Sequence, residues 1–150
     1  MKQFFIVLTV LAISISSEAQ SAEDSVKAVV TNLFTAMIKS DTVLLKSCFA
    51  DSMVLQTIVR GKNGGAEVKS ETAATFVKSI SSLKPGSADE QITFGTVLID
   101  GPLALVWTPY KFYFNGQFSH CGVNSFHLVR FKDGWRIQYL IDTRRRTGCD

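Results

Sequence analysis

The sequence has few of the residues that build metal centres and covalent catalytic sites. It contains two histidines and three cysteines, and no pair of cysteines has the Cys-x-x-Cys spacing of a zinc site. We therefore predict no metal and no cofactor. The glycine-rich segment 61–65 lacks the lysine and hydroxyl residue that end a phosphate-binding loop, so we interpret it as a surface turn.

Charge of one sign and long apolar runs are also scarce. The 16 basic and 13 acidic residues leave a net charge of +3, and the one local basic cluster is Arg144-Arg145-Arg146. A nucleic-acid-binding surface needs a larger basic patch, so we expect no nucleic-acid partner. No apolar run is long enough to anchor the mature chain in a bilayer, so we expect no membrane association.

The clearest apolar run lies at the start of the chain, over residues 4–13, and follows Lys2. Ser17 and Ala19 then supply the small residues that a signal peptidase reads. This pattern is typical of a secretory signal peptide. We assign residues 1–19 to a signal peptide and residues 20–150 to a single domain, exported to the periplasm or outside the cell. No cysteine follows the run, so we expect no lipid anchor.

Apolar residues spaced by three and four positions predict helices in the first half of the chain. Asp24 or Ser25 is the expected N-cap of the first helix, and Val43 is expected to pack inward from the second. We predict helices at 25–38, from Asp41 to 50 and at 70–84, and strands at 53–60 and 91–99.

Two short turns organise the second half of the chain. Asn115-Gly116 and Asp133-Gly134 each separate runs rich in β-branched and aromatic residues, which predicts two-residue type I′ hairpins. They join three antiparallel strands at 103–114, 117–132 and 135–143. With helices mainly first and strands mainly last, we predict an α+β fold in which a curled antiparallel sheet packs against three helices.

The register of these hairpins decides which side chains share a face of the sheet. We place the two residues of each turn at the centre of its hairpin, and we expect a bulge at Pro109. The more apolar face is assigned to the helices. Its predicted residues are Leu103, Leu105, Trp107, Tyr113, Phe118, Asn124, Phe126, Leu128, Trp135, Ile137, Tyr139, Ile141 and Thr143.

The opposite, convex face is predicted to carry His127 and Asp142 among many apolar side chains. Those apolar residues are Val106, Tyr110, Phe112, Val123, Val129 and Leu140. Soluble monomers rarely leave so large an apolar area in water, so we expect a homodimer formed through the convex sheet face.

The same register bears on the cysteines, of which an odd number is unusual for an exported protein. Cys121 is predicted to face Arg146, a few residues before Cys149. Cys121 with Cys149 is therefore the best-placed pair, and Cys48 is expected to be free and buried.

Two helices, a strand, a helix and long strands ending in Gly-Trp-Arg-Ile resemble the nuclear transport factor 2-like superfamily. More narrowly, segments 122–130, 134–137 and 142–146 resemble the exported bacterial group named for lumazine binding. The resemblance implies a cone-shaped, cystatin-like α+β roll with a pocket between sheet and helices. Enzymes of the superfamily, among them isomerases, dehydratases and cyclases, use a carboxylate or histidine in that pocket as a general base.

On the predicted pocket face, Trp107, Asn124 and Thr143 form a row in which an amide and a hydroxyl lie among aromatic rings. His120 belongs to this face near its open end, beside Lys111. No Asp or Glu of the three strands is predicted to point into the pocket. The predicted ligand-binding residues are Trp107, Tyr113, His120, Asn124, Phe126, Tyr139 and Thr143.

These observations favour an exported protein that binds a small aromatic or apolar molecule, such as a pterin or lumazine, without converting it. One alternative is a small-molecule isomerase, dehydratase or cyclase that uses the same pocket, with His120 as its base. The other is a dimerisation module with no ligand.

Overall fold

We describe residues 22–149 in a computed structural model of the chain. The predicted signal peptide, residues 1–19, lies outside the described residues. Three helices occur in the first half of the described chain: α1 over residues 22–39, α2 over Thr42–Ser47 and α3 over Ala73–Ser81. No helix within the described range is both long and apolar enough to cross a membrane.

The strands form one open, curled sheet with the spatial order β2-β1-β7-β6-β5-β3, and β4 also pairs with β5. All neighbours are antiparallel except β1 and β7, which run parallel. The α+β fold is confirmed, and the sheet contains one parallel pair, β1 with β7, that the sequence did not indicate. The strands are β1 Phe49–Arg60, β2 Ala66–Thr72, β3 Ala88–Ile92, β4 Thr96–Asp100, β5 Leu103–Phe114, β6 Gln117–Phe131 and β7 Gly134–Thr143.

Capping side chains explain where two helices begin. One carboxylate oxygen of Asp41 accepts hydrogen bonds from the backbone N–H groups of Val43 and Leu44, both at 3.0 Å, at the start of α2. Thr72 caps α3 in the same way. The cap predicted for α1 is wrong, since the chain is already helical at residue 22. Val43 is also not packed: it is 79% exposed, because the short α2 turns only Leu45 into the core.

Two strand predictions need correction. The edge strand β2 is absent from the prediction, which places its last residues, 70–72, at the start of the third helix. It pairs with β1, yet nearly all its residues are exposed, so it has no apolar alternation to detect. The strand predicted at 91–99 is two strands, β3 and β4, which pair with opposite ends of β5.

The core lies between the helices and the inner face of the sheet, which we define as the face that packs against α1 and α3. Its members are apolar residues that are almost fully enclosed. From the helices they include Val26, Val30, Leu33, Met37, Leu45, Val77 and Ile80, and from the sheet Leu55, Ala104, Val106, Phe126, Leu128, Ile137 and Leu140.

The first hairpin follows the predicted register only near its turn. Phe114 faces Gln117, and Tyr113 faces Phe118, but Phe112 then faces His120. Residue 119 is therefore an extra residue, and this bulge, rather than one at Pro109, shifts the register. As a result Ala104, Val106, Thr108, Tyr110 and Phe112 face the helices, and Leu103, Leu105 and Trp107 face outward.

The second hairpin differs from the prediction twice. The type I′ turn predicted at Asp133-Gly134 is wrong: the turn is centred one residue earlier, so that Phe131 faces Gly134, and Asp133 lacks the positive φ that a type I′ turn requires. Further along, Leu128 faces Ile137 but His127 faces Tyr139, which makes Gln138 a second bulged residue. Each bulge exchanges the two faces of its strand beyond that point. The inner face of β7 therefore carries Trp135 and Ile137 and then Leu140 and Asp142, while Tyr139, Ile141 and Thr143 lie on the outer face.

The cysteine assignments are confirmed. Cys121 and Cys149 form a disulfide with their Cα atoms 5.8 Å apart, and Cys48 is free and buried. Burial raises the pKa of the Cys48 thiol to about 11, so this group stays protonated near neutral pH.

Candidate functional site

A cavity of about 240 Å³ lies between the inner face of the sheet and the helices α1 and α3. Its apolar lining is formed by Leu33, Phe34, Met37, Leu55, Phe76, Ile80, Leu83, Ala88, Phe112 and Leu140. Its polar lining is formed by Glu71, Ser79, Glu90, His120, Asn124, Asp142 and Arg144. We call this cavity the pocket. The prediction that the meander strands send no acidic group into it is wrong, because Asp142 lines it, and Glu71 and Glu90 join from other strands.

Glu90 extends from β3 into the pocket. Its Oε1 accepts a hydrogen bond of 2.8 Å from the Nδ2 of Asn124. Burial raises the pKa of the Glu90 carboxyl to about 7, and the charge of Asp142 also raises it. The Asn124 hydrogen bond and the charge of Arg144 act in the opposite direction. Near neutral pH this carboxyl can therefore both take and give a proton.

Asn124 holds Glu90 in place from the centre of β6. The residue is 4% exposed, and its Nδ2 also lies 3.4 Å from the hydroxyl oxygen of Thr108, which faces it on β5. An amide nitrogen has two protons, so these two acceptors can use both. Asn124 is thus a buried side chain whose Nδ2 is partnered within the protein and fixes the Glu90 carboxyl.

Asp142 is the second inward carboxylate, and its hydrogen bonds are extensive. It is 7% exposed and accepts from the Thr57 hydroxyl at 2.6 Å and from the Arg144 Nε at 2.9 Å. The Tyr110 hydroxyl lies 3.1 Å from Asp142 and 2.9 Å from the Thr143 carbonyl oxygen, and its single proton serves one of them at a time. Burial and the charge of Asp142 raise the Tyr110 pKa, which keeps its hydroxyl neutral.

His120 lies on the other side of Phe112 from Glu90, since Phe112 faces both residues across its two neighbouring strands. Its Nδ1 is 3.1 Å from the Ser119 hydroxyl, and its ring centre is 5.0 Å from that of Phe112. Burial and the charge of Arg144 lower the His120 pKa. The imidazole is therefore neutral near pH 7, and the predicted neighbour Lys111 is exposed on β5.

The predicted row of Trp107, Asn124 and Thr143 does not exist. Trp107 faces Ser125, lies on the outer face and is 44% exposed. The Thr143 hydroxyl accepts from the backbone N–H of Val123 at 3.2 Å. Because of the bulges at Ser119 and Gln138, Trp107 and Thr143 lie on the opposite face of the sheet from Asn124.

The other predicted residues also lie away from the pocket lining. The Tyr139 hydroxyl donates to Gln56 at 2.7 Å on the outer face. Tyr113 packs on Phe118 near the hairpin turn, with ring centres 5.9 Å apart. Phe126 is fully buried and belongs to the core. Of the seven predicted residues, the structure brings Asn124 and His120 to the pocket, and their contact with a ligand stays a prediction.

Sequence reasoning missed Glu90, Asp142 and Arg144. A signal for Glu90 was present, because Ala88, Glu90 and Ile92 alternate with more polar residues and so share one face of a strand. The missed position of Asp142 follows from the Gln138 bulge, which no turn signal announces. Within residues 22–149, no group of three His, Cys, Asp or Glu side chains is placed to hold a metal ion.

Comparison with known proteins defines the fold. No family model and no curated protein matches the sequence. A nuclear transport factor 2-like protein of unknown function from Shewanella baltica aligns with 83% of this chain and 94% of its own, with a TM-score of 0.64 at 10% identity. A Streptomyces avermitilis protein of that family, provisionally named a dehydratase, aligns over 85% and 98%, with a TM-score of 0.63 at 18% identity.

A Nostoc punctiforme domain of unknown function with a cystatin-like fold aligns over 85% of this chain and 80% of its own, with a TM-score of 0.65 at 16% identity. These similarities show that the chain has the nuclear transport factor 2-like, cystatin-like fold. At such low identity they show the fold and not an activity.

Proposed function

We propose that the pocket binds a small, mostly apolar molecule carrying a carbonyl or hydroxyl group, and that Glu90 exchanges a proton with it. The observation that carries this proposal is the Glu90 carboxyl itself, which lines an apolar cavity and has a pKa raised to about 7. A general base is most effective when its pKa is near the working pH. This corresponds to the alternative raised in the sequence analysis, an isomerase, dehydratase or cyclase, with Glu90 instead of His120 as the base.

The hydrogen bonds of Glu90 favour this role. Within the described residues only its Oε1 accepts a hydrogen bond, from Asn124, which leaves Oε2 for a ligand. Asp142 is less suited, because Thr57 and Arg144 already occupy its oxygens. We therefore assign proton transfer to Glu90 and a supporting role to Asp142.

His120 is the candidate for the second polar contact with the ligand. Glu90 and His120 flank Phe112 on adjacent strands, so their Cα atoms are two strand spacings apart, about 10 Å. That leaves room for a small ring over Phe112, between the two side chains. A neutral imidazole can donate a hydrogen bond to a carbonyl oxygen while Glu90 removes a proton from the adjacent carbon.

The mature protein is proposed to act after export. The disulfide between Cys121 and Cys149 supports this location, since such bonds persist mainly in oxidising compartments. A pterin- or lumazine-like ring remains one candidate ligand, because it is flat and carries carbonyl groups. Its proposed position is over Phe112 rather than beside Trp107.

The test has two stages and one matched pair of variants. A thermal-shift screen of small cyclic ketones, alcohols and pterins identifies binders, and NMR in deuterated water then follows exchange of the carbon-bound protons of each ketone that binds. Glu90→Gln keeps an acceptor for Asn124 and removes the base. Asp89→Asn changes the neighbouring carboxylate, which lies outside the pocket lining.

Wild type and Asp89→Asn should exchange protons alike, and Glu90→Gln should be slower by about 100-fold or more. Equal exchange in Glu90→Gln would remove Glu90 from the mechanism. A ring compound that binds with no exchange would favour the non-catalytic binder. A screen in which nothing stabilises the protein would leave the dimerisation module as the better description.

A further inference from the structure

The C-terminal segment 144–149 links the disulfide to the pocket. Just beyond β7, Arg145 pairs with Cys121 on β6: each backbone N–H donates to the other residue's carbonyl oxygen at 2.9 Å. Cys149, four residues later, returns to Cys121 through the disulfide. The segment is thus attached to one residue of β6 at both of its ends.

Arg144 leads from this attachment into the pocket. Its Nε donates to Asp142 at 2.9 Å, and its Nη2 donates to the Thr57 hydroxyl at 3.2 Å. Its side chain is 49% exposed, and it lines the pocket together with Glu90. The next residue, Arg145, instead donates from its Nε to the Gly148 carbonyl oxygen. Of these two consecutive arginines, Arg144 therefore binds pocket residues and Arg145 binds within segment 144–149.

Gly122, next to Cys121, makes this junction unusually close. A Cβ atom at this position would overlap with the Thr143 carbonyl oxygen and crowd the Tyr110 ring. The end of β7 can therefore approach β6 more closely than any side chain would permit. The disulfide lies one residue from this contact and holds the chain that follows it.

We propose that the Cys121–Cys149 disulfide is a positioning element of the pocket: it fixes segment 144–149 on β6 and thereby keeps the Arg144 guanidinium on Asp142, facing Glu90. A segment that follows the last strand of a sheet without such a link is prone to fray. The proposal deepens the proposed function, and it rests on that function only for its consequence in proton transfer.

The charged and titratable groups that face Glu90 make this arrangement measurable. Besides Arg144 they are Asp142 on β7, Glu71 on β2 and the neutral His120 on β6, with the hydroxyl of Tyr110 nearby. Arg144 lowers the Glu90 pKa, and Asp142 raises it. If Arg144 moves away from this site, the Glu90 pKa should rise further.

The experiment is a carbon-13 NMR titration of the Glu90 carboxyl in the full protein without ligand. Arg144→Gln should shift the Glu90 pKa upward. Cys149→Ser, which replaces no residue of the pocket lining, should shift it in the same direction. Arg130→Gln removes an exposed arginine of β6 outside the pocket lining and should match wild type.

A second measurement covers the case in which Cys149→Ser does not fold. A water-soluble phosphine reduces the folded wild type: two electrons and two protons convert the disulfide to two thiols, and the phosphine becomes its oxide by taking oxygen from water. The reduced protein should show the same upward shift. Cys48 should not exchange with the bridge, because burial keeps its thiol protonated.

An unchanged Glu90 pKa in Cys149→Ser or in the reduced protein, beside an upward shift in Arg144→Gln, would overturn the proposal. So would an Arg144→Gln variant that titrates like wild type. Neither result depends on a ligand. A failed ligand screen would therefore leave this inference standing, and an unchanged pKa would leave the proton-transfer proposal standing.

Discussion

The two faces of the strands β5, β6 and β7 differ in how their polar groups are satisfied. On the inner face, Asn124 and Asp142 are nearly inaccessible, and each is fixed by hydrogen bonds to other side chains. On the outer face, Trp107 is 44% exposed, and His127 and Tyr139 pack against each other with ring centres 5.7 Å apart. Both faces are rich in aromatic residues, so aromatic content does not identify the pocket. The buried, hydrogen-bonded polar side chains of the inner face do.

Two bulged residues decide which side chains belong to which face. Without the bulge at Ser119, Trp107 would share a face with Asn124. Without the bulge at Gln138, Asp142 would lie on the outer face and Thr143 on the inner face. Since one extra residue exchanges the faces of a strand, the pocket chemistry depends on these two positions as much as on the acidic residues themselves.

The largest difference between the faces should appear in stability. Phe126 is fully buried and meets Phe34 edge to face, with ring centres 6.1 Å apart. Phe126→Ala should lower the free energy of unfolding by about 3–5 kcal/mol, because it leaves a cavity in the core. Phe118→Ala, the same change at an exposed site on the same strand, should cost less than about 1 kcal/mol. Urea unfolding of both variants measures this, and equal costs would contradict the assigned faces.

The sequence predicted the elements better than it predicted the site. The Asn115-Gly116 turn has positive φ at both residues, as the type I′ assignment requires, and the disulfide pair was correct. The chemistry of the Asn115-Gly116 turn is local, so it can be read from adjacent residues, whereas the second turn lies one residue earlier than Asp133-Gly134 indicates. The two bulges are irregularities of strand pairing that no turn residue marks, and β2 depends on pairing with β1. These are tertiary effects, which is why Asp142 was not placed in the pocket, whereas the alternation over Ala88, Glu90 and Ile92 could have placed Glu90.

A second prediction concerns the close approach behind the pocket. Gly122→Ala should destabilise the protein by about 3 kcal/mol, because its Cβ would displace the backbone at Thr143. Gly65→Ala is the matched control, since a Cβ at that position meets no atom within 4 Å. Thermal unfolding should leave the control within about 0.5 kcal/mol of wild type. A Gly122→Ala variant as stable as the control would show that β6 and β7 do not approach this closely.

A third prediction uses the pKa of Glu90, raised from its ordinary value of 4.5 to about 7. Below pH 4.5 the carboxyl is protonated in both states, and its burial costs little. Between pH 4.5 and 7 the unfolded chain loses the proton while the folded protein keeps it, so stability falls as pH rises. This decline should be on the order of 2–3 kcal/mol.

Glu90→Gln should lack this part of the pH dependence, and Asp89→Asn should keep it. The measurement is the free energy of unfolding at several pH values between 4 and 8, taken as the difference between each variant and wild type. That difference removes the contribution of other titrating groups. Parallel curves for wild type and Glu90→Gln would show that Glu90 is not buried as described.

The last prediction concerns self-association through the outer face. It has the smallest expected effect on the stability of the folded monomer. Four residues that the sequence analysis places in the dimer contact face inward instead: Val106, Tyr110, Phe112 and Leu140. The outer face presents Leu98 and Trp107, which are 61% and 44% exposed. Val123 and Val129 remain there, together with Tyr139 and Ile141. We propose that a second copy covers this face about a two-fold axis, with His127 near its own counterpart.

Trp107→Lys should then convert the dimer to a monomer, because it places a charge within an apolar contact, and it should change the stability of the monomer by less than about 0.5 kcal/mol. Val43→Lys makes the same kind of change on α2, at a residue that is 79% exposed and away from the sheet. Sedimentation at micromolar concentration should give a dimer for wild type and Val43→Lys and a monomer for Trp107→Lys. A monomeric wild type would refute the proposed contact, and a dimeric Trp107→Lys would place it on another surface.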